Sequence, residues 1–140
     1  MPKNYIPANI RRQVDECAKG VCEYCKCLRK YTPESHEYEH IIPSIQGGKS
    51  VFLNIAKACR GCNNIKSISI AGLDPETNQI VRLFNPRKDN WKDHFKWSAD
   101  FLKMIGLTPI GRATIIRLKT NRQELMNLRK VTLNKGHPPD

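Results

Sequence analysis

Two Cys-x-x-Cys pairs stand in one short chain: Cys22 and Cys25 in VCEYC, and Cys59 and Cys62 in ACRGCNN. Four thiolates suit a tetrahedral zinc ion, and a CxxC turn lets both sulfurs of a pair face one metal. Residues 26–58 lie between the pairs, more than a simple zinc ribbon needs, so this interval should itself fold. It contains Glu39-His40 and Asn54, and Asn63 directly follows Cys62. A His, a carboxylate and two amides suit chemistry rather than framing. The nesting predicts a small active site held together by a structural zinc. Buried apolar thiols are the alternative for the cysteines, and two pairs in one short chain argue against it. Cys27 makes the first pair CxxCxC and could replace Cys25, but the symmetry of the pairs favours Cys22 and Cys25.

A chain of 140 residues fits one domain with a modest core, which a metal staple would support. The net charge of +11 attracts polyanions, nucleic acid before anionic membrane. No apolar run is long enough for a transmembrane helix, and the first residues lack the run of a secretory signal. The expectation is a cytoplasmic protein with reduced thiols and no membrane association. In that compartment paired CxxC motifs point to metal rather than disulfides.

Periodicity places a helix at 6–19, started near Pro7 and capped by Gly20, with Ile10, Val14 and Cys17 on its apolar stripe. Cys17 is accordingly expected in the core. Residues 36–42 have strand composition and stop at Pro43; 46–50 form a loop; 52–58 hold a second short strand. A helix starts at Cys62 and ends near Gly72. Further on come a strand at 80–84, an aromatic and charged segment at 91–97, an apolar run at 102–107 and a helix at 111–119. Another helix begins at Asn121, where Glu124 completes a capping-box pattern. Leu125, Leu128 and Val131 form its stripe, and 136–140 read as a frayed tail.

The ordered set of motifs resembles the HNH nucleases. It runs Cys22-x-x-Cys25, Glu39-His40-Ile41-Ile42-Pro43, Gly47-Gly48, Asn54-Ile55, Cys59-x-x-Cys62-Asn63 and Lys66. The segments 83–97 and 107–114 are also similar to the C-terminal part of a bacterial subset of these proteins. The resemblance implies an α+β fold: a small ββα-metal core stapled by a four-cysteine zinc site. An N-terminal helix (1–20) would precede this core (21–72), and a basic, partly helical C-terminal extension (73–140) would follow. It implies a metal-dependent endonuclease acting on DNA, with RNA left open and a protein partner conceivable. His40 becomes the general base, and Glu39 and Asn63 become ligands of a catalytic Mg²⁺ or Mn²⁺. Asn54 would orient His40 or brace the loop. Glu stands where Asp is commoner, and Asn where the family name has its last His, so the motif reads His-Asn-Asn.

Other charged and aromatic residues have plain surface or core readings beside their functional ones. Arg60 and Lys66 flank the helix start and could bind phosphate. Arg112, Arg117 and Arg122, with Lys119, Arg129, Lys130 and Lys135, make the C-terminal helices basic, which suits contact with a nucleic-acid backbone. His36 is expected at the surface, His94 in the core and His137 in the tail without a role. Trp91 and Trp97 read as packing residues. The competing reading of the whole chain is a non-catalytic zinc-knuckle module that binds nucleic acid.

Overall fold

Pro7 begins the first helix by fixing its own φ at −58° and lending its carbonyl to the N–H groups of Ile10 and Arg11. In the computed structural model, which describes residues 4–140, α1 spans Ala8–Ala18. Its left-handed exit falls on Lys19, one residue before the expected Gly20. The buried stripe is Val14 and Ala18, which packs on β2. Cys17 lies beside that stripe and is exposed, not in the core as expected.

Strand β1 (Glu37–His40) pairs antiparallel with β2 (Ile55–Ala58), setting Glu37 opposite Ala58 and His40 opposite Ile55. Both are shorter than their apolar runs suggest, because residues 52–54 wind into a 3₁₀ turn. Helix α2 (Arg60–Lys66) follows β2 directly, and the Cys59 sulfur accepts its Cys62 N–H. It ends at Lys66, short of Gly72. Residues beyond it form β3 (Ala71–Leu73), which pairs with β4 (Ile80–Arg82) in a hairpin. The reading of residues 62–70 as helix hid the first strand of that hairpin.

The C-terminal half adds α3 (Trp91–His94), the paired strands β5 (Phe95–Trp97) and β6 (Met104–Gly106), α4 (Pro109–Leu118) and α5 (Gln123–Thr132). Thr108 caps α4 by accepting the Gly111 N–H, with Pro109 at its first turn. Helix α4 lies against β3, β4, β6 and α2. One hydrophobic cluster therefore joins Cys22, Cys25 and Ala56 to Phe84, Phe95, Met104, Leu118 and Leu125.

Three expectations for the C-terminal segment fail for the same reason, tertiary contacts that local pattern does not reveal. Asn121 does not cap α5: its side chain accepts from Met104 N and donates to Met104 O, clamping β6. Val131 is exposed, while Leu125 carries the buried stripe. The residues from Gly136 are not frayed, since His137 is buried, set edge-on against Trp97 and bonded to Phe101 O. His94 packs edge-on against Phe84 and Phe95, its Nδ1 on Thr108 Oγ, and Trp91 stacks on Phe95 and Trp97.

Candidate active site and metal centre

Both knuckles put their sulfurs in one place. The four Sγ atoms of Cys22, Cys25, Cys59 and Cys62 lie within 4.8 Å of one another, and all four residues are buried. In each knuckle the N–H of the second cysteine points at the sulfur of the first, at 3.5 Å for Cys25 and 3.4 Å for Cys62. Cys25 and Cys59 sulfurs stand 3.7 Å apart. A tetrahedron with Zn–S bonds of about 2.3 Å has edges of about 3.8 Å. Burial and the Cys22 sulfur push the Cys25 thiol well above its ordinary 9.0. Thiols this crowded cannot ionise together without a cation. Donor set, spacing and burial thus fit zinc.

Two arginines serve this centre. Arg122 directs its guanidinium at the sulfurs of Cys62 and Cys59, at 3.6 and 3.7 Å. A Cβ on Gly61 would come within 2.5 Å of that guanidinium, so a larger residue there would have to displace Arg122 from the sulfurs. Arg129, 2 % exposed, donates to Cys25 O, Thr120 O, Leu102 O and Asn121 Oδ1. A zinc ion with four thiolates carries two net negative charges, which these two cations offset. Cys27 stays outside the cage, its sulfur 3.8 Å from His36 Nε2, and His36 is buried rather than at the surface.

The residues inside the first knuckle reach further. Tyr24 is buried and donates its hydroxyl to Glu39 Oε2 at 2.7 Å. Glu23 accepts from Lys57 N on β2 and pairs with the buried Arg87 guanidinium. On β1 the side chains alternate. Tyr38 meets Asp15 of α1. Glu37 and Glu39 turn to α2, where Glu37 Oε2 accepts from Asn63 Nδ2 and Glu39 pairs with Lys66. His40, at the strand end, has Nε2 2.8 Å from Ser50 Oγ.

Glu39, His40 and Asn63 line one cavity of about 490 Å³, together with Tyr38 and Ser44. Glu39 is 4 % exposed, and burial raises its carboxyl above the ordinary 4.5 although Lys66 opposes this. Its Oε1 lies 2.5 Å from Lys66 Nζ but accepts no directed hydrogen bond; the directed bond of Lys66 goes to Ile41 O. Burial also lowers the half-buried His40 imidazole from its ordinary 6.5, favouring the neutral ring. Asn54 braces the loop. Its Oδ1 accepts from Ile42 N and its Nδ2 donates to Ile42 O and Lys49 O. Gly48 allows this closure, because a Cβ there would collide with Ile42 O.

The basic residues expected at nucleic acid fare differently. Lys66 is buried against Glu39, Arg112 is paired with Asp74 and Glu76, Arg117 donates to Ile65 O, and Arg122 serves the cysteines. Each is spent inside the protein. Arg60 is exposed and paired with Glu34. Sequence reading missed Tyr24, Glu37, Ser50 and Arg129. Tyr24 sits inside the CxxC, and Glu37 stands two residues from Glu39, so their positions carried a signal. Ser50 and Arg129 carried none.

A four-cysteine cage beside a β-hairpin and a short helix defines a small mixed α/β fold whose cysteines could hold a structural metal. The family model described as HNH endonuclease matches residues 22–68, so this segment is similar to the HNH endonucleases, which supports a nuclease-type function in general terms. No curated protein matches the chain. Among the described residues no helix is long and apolar enough to cross a membrane.

Proposed function

We propose that the chain is a metal-dependent endonuclease that hydrolyses DNA phosphodiester bonds in the cavity beside His40. The observation that carries this is the convergence of Glu39, His40 and Asn63 on one cavity within the segment that matches the family. The oxygen donors Glu39 and Asn63 suit Mg²⁺ or Mn²⁺ better than zinc. When bound, the ion neutralises charge on the scissile phosphate and on the leaving 3′ oxygen. His40 takes the proton from water. In the tautomer where Ser50 accepts the Nε2 proton, Nδ1 is the basic nitrogen. The water oxygen bonds to phosphorus as the bond to the 3′ oxygen breaks, and solvent returns a proton to that oxygen. Lys66 and Tyr24 hold the Glu39 carboxylate in place from behind. Asn54 fixes the loop that carries Ser50.

Cleavage of supercoiled plasmid with Mg²⁺ or Mn²⁺ tests this. His40→Ala should lose about 10²–10⁴-fold in rate, the usual worth of a general base. Equal cleavage by the two proteins would overturn the role of His40. DNA binding without cleavage under any divalent ion would favour the non-catalytic zinc module instead.

A further inference from the structure

Glu37 has no part in the chemistry just described, yet among the described residues it makes the one side-chain bond that Asn63 shows across the strand–helix junction. It stands two residues before Glu39 on β1, hence on the same side of the strand. Its Oε2 accepts from Asn63 Nδ2 on α2. A carboxylate without its proton can only accept, so the contact sorts the two ends of the amide: nitrogen against Glu37, Oδ1 turned away. An unconstrained amide can present either end to its surroundings at nearly the same shape. A hard cation takes only the oxygen, and the NH₂ face repels it. Glu37 is partly exposed, so it is not there to fill the core.

We infer that Glu37 is a positioning residue that locks the Asn63 amide with Oδ1 facing the cation site. The inference rests on the reading of Asn63 as a ligand. It gives the site an outer carboxylate behind its amide donor. Outer partners of this kind are commonly worth 10–100-fold in metal affinity.

The full zinc-loaded chain serves for the test, with Mn²⁺ alone as the probe and its binding followed by the electron paramagnetic resonance of the free ion. Glu37→Ala should weaken Mn²⁺ binding by about 10–100-fold, with zinc content and melting temperature close to wild type. Asn63→Asp should also bind poorly, because it sets a second carboxylate against Glu37. Adding Glu37→Gln to Asn63→Asp supplies an NH₂ donor from the opposite side and should restore binding above that of Asn63→Asp alone. A merely structural role for Glu37 gives no such rescue. Unchanged Mn²⁺ affinity in Glu37→Ala, or a double variant no better than Asn63→Asp, overturns the inference. If Asn63→Ala also leaves affinity unchanged, the ligand reading of Asn63 falls with it. If Asn63→Ala weakens binding and Glu37→Ala does not, Glu37 alone is misassigned.

Discussion

His40 binds its proton less readily in the folded chain than as a free imidazole, because burial penalises the charged ring. Acid therefore works against the fold and against a general base together, since protonation opposes both. The rate of plasmid cleavage should be level from about pH 6.5 upward through neutrality, and should fall only below the ordinary imidazole value. An acid limb centred above 6.5 would contradict the environment of His40. Its place at the cavity was legible because the Glu-His pair precedes Ile-Ile-Pro in an ordered set of motifs. The partners of Glu39 were less so. Lys66 reads as a surface cation until α2 is laid across β1, which buries its amine against the carboxylate. Asn54 was legible only to the extent of two options, and the structure makes it a brace for the loop.

At the scale of elements, the knuckles were readable because CxxC turns are local and need no knowledge of the rest. Strand β1 and helix α2 were found with displaced ends. The hairpin partner β3 was missed, since residues 71–73 have too few apolar positions to declare a period. Helix α5 was found, but its start was argued from a cap that Asn121 does not make. The knuckles carry the firmest prediction here. A structural zinc contributes on the order of 10 kcal/mol to folding, more than a small domain has to spare. Cys59→Ser should therefore lose bound zinc and its cooperative melting transition. The same melting temperature and zinc content as wild type would refute the cage.

Across the whole molecule, charge told less than it promised about where nucleic acid would lie. The net charge of +11 is real, but Lys66, Arg112, Arg117, Arg122 and Arg129 spend theirs on internal carboxylates, carbonyls and sulfurs. A count of arginines along a helix cannot separate these from cations that face water. Exposed side chains such as Lys49, Lys119, Lys130 and Lys135 remain for a polyanion. Binding of DNA should thus be dominated by backbone phosphates. The logarithm of the binding constant should fall linearly with the logarithm of salt concentration, by about 0.9 for each phosphate neutralised. Affinity that is flat between low and moderate salt would argue against backbone contact. Arg129→Met, which removes only an internal cation, should leave that slope as it is.

The bond from Arg129 to the carbonyl of Cys25 spans 104 positions in the chain. During synthesis the first knuckle leaves the ribosome long before α5 exists. Until that helix arrives, the Cys25 carbonyl and the thiolates beside it lack the guanidinium groups that settle against them in the finished protein. The nascent segment 22–68 is therefore left waiting for its own C-terminal neighbours, and a chain cut short before residue 122 would carry every residue of that segment while its cysteine cage stood without either counter-charge.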